Sequence, residues 1–242
     1  TQALPPATSF AMLPMVTIAG GVFIDGRVAV PAIYPGPLLI VPSERTITAG
    51  GVATIVAEAR TVGLLGDRTD FTGGALLPGA PLGHVEIRAD GVLRELLGDP
   101  SRLVRCGTGL RCQADPGTPE AFAAFWQRLS TLSEWIGAEL GPEATHRPIA
   151  LAVLVVQPEA AQGIVPGRAD WPLATPILEF GDPFDGLAGV RCGVVAGPDL
   201  VLLLPAAAAA NQLTRFVDAR GTERSLIVRV VLPGDARGCS AG

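Results

Sequence analysis

Four cysteines constrain this 242-residue chain more than any other feature of its sequence. Cys106 and Cys112 are separated by a short glycine-containing segment, whereas Cys192 and Cys239 lie further apart towards the C terminus. An even number of cysteines without the ligand spacing of a zinc site predicts disulfides, and so an oxidising compartment outside the cytoplasm. Four cysteines allow three connectivities, and the spacing leaves all of them open. The sequence thus predicts an extracellular or cell-surface protein.

Two of the possible bridges have a clear physical effect. A bridge between Cys106 and Cys112 would close a small ring over residues 107–111, whose glycines can adopt positive φ, and would stabilise the fold by about 2.4 kcal/mol. A bridge between Cys192 and Cys239 would contribute roughly 4 kcal/mol in the same loop-closure estimate. The second bridge would tie the C-terminal tail to a predicted strand at 190–195 and prevent the tail from fraying.

Charge and hydropathy exclude several classes of partner. A net charge of −5 and a pI near 5.1 give no broad electrostatic attraction to nucleic acid. Mean hydropathy is high at +0.41, yet no window offers the roughly 18 uninterrupted apolar residues of a membrane helix. The richest windows are Ile149–Val156, which is too short, and Leu200–Ala210, which Pro205 interrupts. The start at Thr1, without a signal-peptide core, is what we expect of a processed export product, and a lipid anchor upstream would fit.

Hydrophobic periodicity predicts an α+β fold with antiparallel hairpins and about three helical regions, in two closely packed lobes at 1–140 and 148–242. In the first lobe, Met12–Ile18 and Gly21–Val30 form a hairpin-like pair, with a turn signal at Asp25-Gly26. Leu82–Ala89 and Val92–Leu97 form a second hairpin around Asp90-Gly91. The predicted helices of this lobe run from Thr48 to near Gly63 and from the N-cap Thr118 through Ile136.

The second lobe is predicted to begin with Ile149–Val156, a continuously apolar strand covered on both faces. A strand at Val190–Val195 and a helical region from Pro198 through Gln212 follow, and Pro205 should kink or split this helix. A hairpin of Thr214–Asp218 with Glu223–Leu232 completes the lobe.

Catalytic and metal-binding motifs are absent from the sequence. It contains no nucleophile elbow, P-loop, dinucleotide fingerprint or zinc-protease motif, so we expect no cofactor and no metal. Strand alternation places His84 beside Glu86 and Arg88 on a water-facing side, and His146 falls in a predicted linker, so neither histidine is expected to be catalytic. The carboxylate pairs Asp67 with Asp70 and Asp182 with Asp185 lie beside glycine and proline and are typical of turns rather than of calcium or glycosidase sites.

The candidate binding residues are Arg102, Arg105 and Arg111, which cluster around the small cysteine ring in an otherwise acidic chain. Glycine N–H groups in the ring could form an anion-binding nest beside them. The hypothesis is that this loop contacts an anionic or proteinaceous partner. The simpler interpretation is a loop that is cross-linked only to resist proteolysis.

Two further groups of residues were weighed as contacts. Tyr34 and the proline-rich Pro31–Pro42 could dock on another protein, but such a segment more often packs along its own domain. Trp126 and Trp135 are expected in the core or at its rim, and Trp171 is expected to anchor a loop.

A resemblance rests on short stretches in both halves of the chain. They are Ile33–Leu39, Ala59–Gly66, Trp171–Leu173, Arg191–Val195 and Val228–Pro233 with the following Cys239. These stretches resemble a group of uncharacterised exported proteins of high-GC bacteria, many of them lipoprotein-like. The resemblance implies an exported α+β protein with a disulfide between Cys192 and Cys239. It supplies no catalytic or binding residue.

The sequence therefore predicts a non-enzymatic exported protein that binds another protein or a component of the cell envelope. One alternative is a hydrolase with a site of dispersed carboxylates, and another is a protease inhibitor that presents the Cys106–Cys112 loop. A deep cleft with two facing carboxyl groups of raised pKa would favour the hydrolase. A flat, exposed apolar patch would favour the binding protein.

Overall fold

The computed structural model describes residues 10–27, 34–74, 82–102, 114–158, 163–184, 187–235 and 238–239. Its helices, antiparallel hairpins and mixed sheets confirm the predicted α+β class. The chain forms two compact units, each assembled from separate stretches of sequence. The first is built around Gly21–Phe23 and Arg45–Pro142, and the second around Ile24–Glu44 and Glu143–Gly242.

The elements among these residues are thirteen strands and four α-helices. The strands are β1 (Val16–Ala19), β2 (Val22–Asp25), β3 (Ser43–Thr46), β4 (Asp70–Phe71), β5 (Gly83–Ala89), β6 (Val92–Gly98), β7 (Ala144–Thr145), β8 (Ala150–Val156), β9 (Arg168–Asp170), β10 (Asp182–Pro183), β11 (Arg191–Ala196), β12 (Arg215–Val217) and β13 (Glu223–Val230). The helices are α1 (Ala49–Thr61), α2 (Pro119–Ser130), α3 (Leu132–Trp135) and α4 (Gly197–Ala209), with a 3-10 turn at Gly137–Glu139.

Side-chain caps fix the starts of α1 and α2, as the sequence predicts. The Thr48 hydroxyl accepts the Gly51 N–H at 3.1 Å and donates to Glu139, and Thr118 accepts the Ala121 N–H at 3.2 Å. The second predicted helix does not continue unbroken to Ile136. Thr131 leaves helical geometry, with φ −116° and ψ 34°, and its hydroxyl donates to the Gln127 carbonyl. The Thr131 N–H is shared between the Gln127 and Arg128 carbonyls, as is common where a helix ends, and α3 starts separately.

A three-stranded sheet in the order β4-β6-β5 forms part of the first unit. The predicted turn at Asp90-Gly91 is confirmed, since both residues adopt positive φ, 52° and 76°. The Phe122 ring of α2 lies against this sheet and stacks on Phe71 with ring centroids 5.7 Å apart. Gly98 permits that approach, because a Cβ there would lie 2.3 Å from the Phe122 ring.

The second unit contains a six-stranded sheet in the order β10-β11-β8-β13-β12-β9. Its central strand β8 is almost entirely buried, which confirms the strand predicted at 149–156. The hairpin of β12 and β13 is also confirmed. Helix α4 follows β11 directly and contacts β11 and β8 through its buried residues Leu200, Leu203 and Ala207.

A disulfide joins Cys192 on β11 to Cys239, with Cα atoms 5.5 Å apart. This is the bridge implied by the family resemblance. Cys192 belongs to a buried cluster with Phe10, Leu154 and Phe184, and Cys239 packs against the same cluster. The bridge therefore fixes the C-terminal tail against one face of the six-stranded sheet.

The first hairpin turns at a different place from the predicted one. The connection between β1 and β2 is Gly20-Gly21, with φ of 58° and 78°, and not Asp25-Gly26. Two consecutive glycines adopt the positive φ of a tight hairpin turn at no steric cost. The Asp25 carboxylate is bound instead by Arg27.

Helix α4 also differs from the prediction, because it continues through Pro205 and ends at Ala209. Proline removes one donor and crowds the carbonyl four residues before it, here that of Val201. Both Val201 and Pro205 lie on the exposed side of the helix. A carbonyl on that side can bond water instead, so the helix is not split.

Candidate functional site

Of the three arginines predicted to flank the Cys106–Cys112 ring, the structure describes Arg102. Arg102 donates to the carbonyls of Thr72 at 2.9 Å and Gly73 at 3.1 Å, and lies 3.5 Å from Glu120. Its guanidinium thus holds a loop within the first unit. Arg105, Arg111, Cys106 and Cys112 lie outside the described residues, so the ring and its anion nest stay a prediction.

The carboxylates that the sequence analysis considered as possible sites lie in turns or on the surface. Asp67 is fully exposed with Arg94 at 3.6 Å, and Asp70 accepts the backbone N–H and the hydroxyl of Thr72 at 2.8 and 2.7 Å. Asp182 begins the edge strand β10, and Asp185 lies outside the described residues. Within the ranges that the structure describes, no cluster of three or more His, Cys, Asp or Glu side chains could hold a metal ion.

The described carboxyl groups with a clearly shifted pKa are all shifted downwards. Bonds from the Thr72 backbone and hydroxyl lower the pKa of Asp70, and bonds from the Ser101 hydroxyl and backbone lower that of Asp99. Backbone donors, with the Thr222 N–H foremost, lower the pKa of Asp218. A hydrolytic general acid needs the opposite shift, which keeps its proton near neutral pH.

A polar depression of about 540 Å³ lies in the second unit, lined by the side chains of Asp25, Arg27, Ser43, Glu143 and Thr145 among others. Arg27 binds Asp25 through two bonds of 2.8 and 2.6 Å. Burial raises the pKa of Asp25, but the bonds and charge of Arg27 outweigh burial and lower it below 3.8. Asp25 is thus the charged partner of Arg27, and a carboxyl group held in its charged form is a poor proton donor.

His146, which the sequence places in a linker, directly follows β7 and is buried, with 7% of its surface exposed. Pairing of β7 with β3 brings the ring Nδ1 of His146 within 2.6 Å of Glu44 Oε2. The backbone N–H of His146 donates to the Pro42 carbonyl at 3.0 Å. Its Nε2 is buried and has no hydrogen-bond partner among the residues that the structure describes. Ser43 precedes Glu44 and therefore points to the other face of β3, away from this pair. Only the pairing of two distant short strands creates it, which no local signal could reveal.

Several predicted placements of side chains are confirmed. Trp171 anchors a loop, since it is buried and its Nε1 donates to the Thr175 carbonyl at 2.7 Å. His84 is exposed beside Glu86. The described part of the proline-rich segment packs along its own unit through buried Leu38 and Leu39.

Helix α4 carries the most continuous exposed apolar surface that we find in the described second unit. Val201 is 72% exposed and Leu202 50% exposed, although both follow a strand of the central sheet. Pro205, Ala208 and Ala209 extend the same exposed side, and no charged residue occurs from Leu200 to Ala210. We call Val201, Leu202, Pro205, Ala208 and Ala209 the α4 face. A helix that is apolar all round is typical of a buried helix, so its exposed side is a candidate interaction surface.

No helix in the described ranges combines the length and apolarity needed to cross a bilayer. No protein-family model, no curated protein and no solved structure matches this chain.

Proposed function

We propose that this chain is an exported, non-enzymatic protein that binds the apolar surface of another protein of the cell envelope through the α4 face. The observation that carries the proposal is the exposure of Val201 and Leu202 on a helix without charged residues beyond Asp199. Apolar patches of this kind on a folded protein are typical of interaction sites.

The chemistry of the α4 face favours protein over the other ligands considered. A face without charge or hydrogen-bonding side chains offers nothing to an anion or a sugar. Helices that lie on lipid carry Lys or Arg on their polar side, and α4 has neither. The apolar surface of another protein is the ligand that matches this composition.

Export is proposed from the disulfide and from the resemblance to exported proteins. The bridge between Cys192 and Cys239 is of a kind that persists in oxidising compartments and is rare in the cytosol. Both sulfurs pack against a buried cluster, as in a structural rather than a catalytic disulfide.

The two alternatives have less support. For a hydrolase, a carboxyl group in the polar depression should have a raised pKa, whereas the pKa of Asp25 is lowered. For a protease inhibitor, the contact would be the Cys106–Cys112 loop, which lies outside the described residues.

Photo-crosslinking in the native envelope tests the proposal. A photoreactive amino acid at position 201 should give a specific cross-linked product, and Leu202→Glu in the same chain should abolish it. The matched control places the same group at Thr54, an exposed position of α1, where we expect no specific product. Equal products from both positions, or a product at 201 that survives Leu202→Glu, would refute the α4 face as the binding surface.

A further inference from the structure

The outer edge of β5 is a second, unrelated surface, located in the first unit. Among the strands of the described residues, β5 pairs with β6 alone, along its full length from Gly83 to Ala89. Leu97 lies opposite His84 and sends its N–H away from β5, to the Thr69 carbonyl at 2.9 Å. Opposed residues in an antiparallel ladder point their backbone groups either towards each other or both away. The backbone groups of His84, Glu86 and Arg88 therefore point out of the free edge.

No hydrogen bond from the rest of the described chain reaches those outward backbone groups. A free edge of this length is a template for a further strand. The identity of that strand depends on the side chains that it would face.

The exposed side chains of this edge carry charges that other described residues balance only in part. Glu86 lies directly opposite Glu95 on β6, and like charges in that position repel. The ion-pair contact of Glu86 is His84 Nδ1, at 3.9 Å. Arg88 lies opposite Leu93 and has no acidic partner at ion-pair distance among the described residues.

The order of these charges makes β5 complementary to itself. When two copies pair antiparallel about Ile87, Glu86 of each copy faces Arg88 of the other. The next outward position, His84, then faces the turn residue Asp90 of the second copy, whose carboxylate is already bound by Arg60 of its own chain at 2.9 Å. The two Glu86–Arg88 pairs therefore carry the charge complementarity. On the opposite side of the sheet, Ile87 faces its own counterpart, so acid meets base and apolar meets apolar.

Neighbouring registers are less favourable. Pairing about Glu86 places that carboxylate against itself and His84 against Arg88. Pairing about Val85 leaves Arg88 opposite the uncharged Leu82. A shift of register must keep the residues with outward backbone groups paired with each other. Among the registers that meet this condition, the charges favour the one about Ile87.

We propose that β5 pairs with β5 of a second copy of this chain, about a two-fold axis at Ile87, to form one continuous six-stranded sheet. Such an interface uses the same patch on both copies, as two-fold dimers do. One strand edge buries less than the roughly 800 Å² per partner of a standard interface, so we expect weak association at high protein concentration.

Sedimentation velocity from a few micromolar to several hundred micromolar tests the proposal by charge reversal. The wild type should show a monomer–dimer equilibrium. Arg88→Glu and Glu86→Arg each create two like-charge pairs and should raise the dissociation constant about tenfold or more. The double variant E86R/R88E restores both pairs and should dimerise like the wild type. Arg220→Glu, an equal charge change on an exposed arginine of the second unit, should have no effect.

A cysteine cross-link tests the register. Residues opposed without mutual hydrogen bonds have Cα atoms about 4.5 Å apart, within disulfide range. Ile87→Cys should therefore give a covalent dimer in air, whereas Ala89→Cys, which faces Val85, should not. Three results would overturn the proposal: a wild type that stays monomeric throughout, single reversals that dimerise normally, or equal cross-linking at both positions. Binding of an alternating lysine–glutamate peptide to a wild type that remains monomeric would assign the edge to a foreign strand instead.

Discussion

Asp218 shows how one carboxylate organises several backbone segments. It is 7% exposed, and its Oδ1 accepts the N–H groups of Arg220 at 3.0 Å and Thr222 at 2.9 Å. Its Oδ2 accepts the Ile177 N–H at 3.2 Å. One side chain thereby fixes the connection between β12 and β13 and attaches a distant loop to it. Because these donors favour the charged form, the pKa of Asp218 in the folded state is lower than in the unfolded chain.

This shift predicts a pH-dependent effect of Asp218→Asn. A group with a lowered folded-state pKa stabilises the fold fully above its unfolded pKa, and the contribution is lost as pH falls through the folded pKa. The variant should therefore be less stable than the wild type near pH 7, and the difference should shrink as pH falls below about 4. Urea unfolding midpoints across this range measure it. Asp67→Asn, at a fully exposed position, serves as the control, and a difference that stays constant with pH would contradict the argument.

A buried ion pair is the second residue-scale feature. The side chains of Arg229 and Asp235 are 2% and 3% exposed and bind each other, and Arg229 also donates to the Gly238 carbonyl at 2.9 Å. The Arg229 guanidinium carbon lies 5.2 Å from the centre of the Phe10 ring. The pair thus holds the C-terminal tail close to the disulfide.

Asp235→Asn should lower the free energy of unfolding by about 3–5 kcal/mol, because it leaves a buried guanidinium without its counter-charge. The double variant R229M/D235L should lose much less, since apolar side chains of similar volume replace both charges. Guanidinium chloride unfolding measures both. Equal losses in the two variants would show that the charge itself is not the cause.

At the scale of the elements, the predictions that succeeded rest on local signals. The caps Thr48 and Thr118 and the turn Asp90-Gly91 act on backbone groups within a few residues of themselves, so a short window contains all the information. The burial of His146 was missed because it depends on the pairing of β7 with β3, a hundred residues earlier in the chain. The α4 face was missed for the same reason, since apolar periodicity cannot show which side of an all-apolar helix will be covered.

Pro205 gives an element-scale prediction. An internal proline costs a helix about 3 kcal/mol relative to alanine, and proline returns up to about 1 kcal/mol by restricting the unfolded chain. Because Pro205 is exposed, Pro205→Ala should change no packing and should raise the free energy of unfolding by about 2 kcal/mol. Pro198→Ala, in the first turn of α4 where proline is well tolerated, should give no gain. Thermal melts of the two variants measure this difference. If Pro205→Ala raises the melting temperature no more than Pro198→Ala does, the missing hydrogen bond at Pro205 is already compensated.

At the scale of the whole molecule, two compact units share one chain, and the described disulfide lies in the second unit alone. Each unit has its own tryptophan reporters, since Trp126 and Trp135 belong to the first and Trp171 to the second. Stability of this protein should therefore be measured unit by unit.

Removal of the bridge tests whether it stabilises by restricting the unfolded chain. The double variant C192A/C239A opens a loop with a sequence separation of 47, and it should lower the free energy of unfolding of the second unit by about 4 kcal/mol. Fluorine NMR of the protein labelled with fluorotryptophan should show the Trp171 signal melting at lower urea than in the wild type. The Trp171 signal in native buffer should keep its position, because the pair of Arg229 with Asp235 still holds the tail in the folded state. An unchanged midpoint would mean that residual structure already constrains the unfolded chain, whereas a shifted native signal would mean that the bridge positions the tail directly.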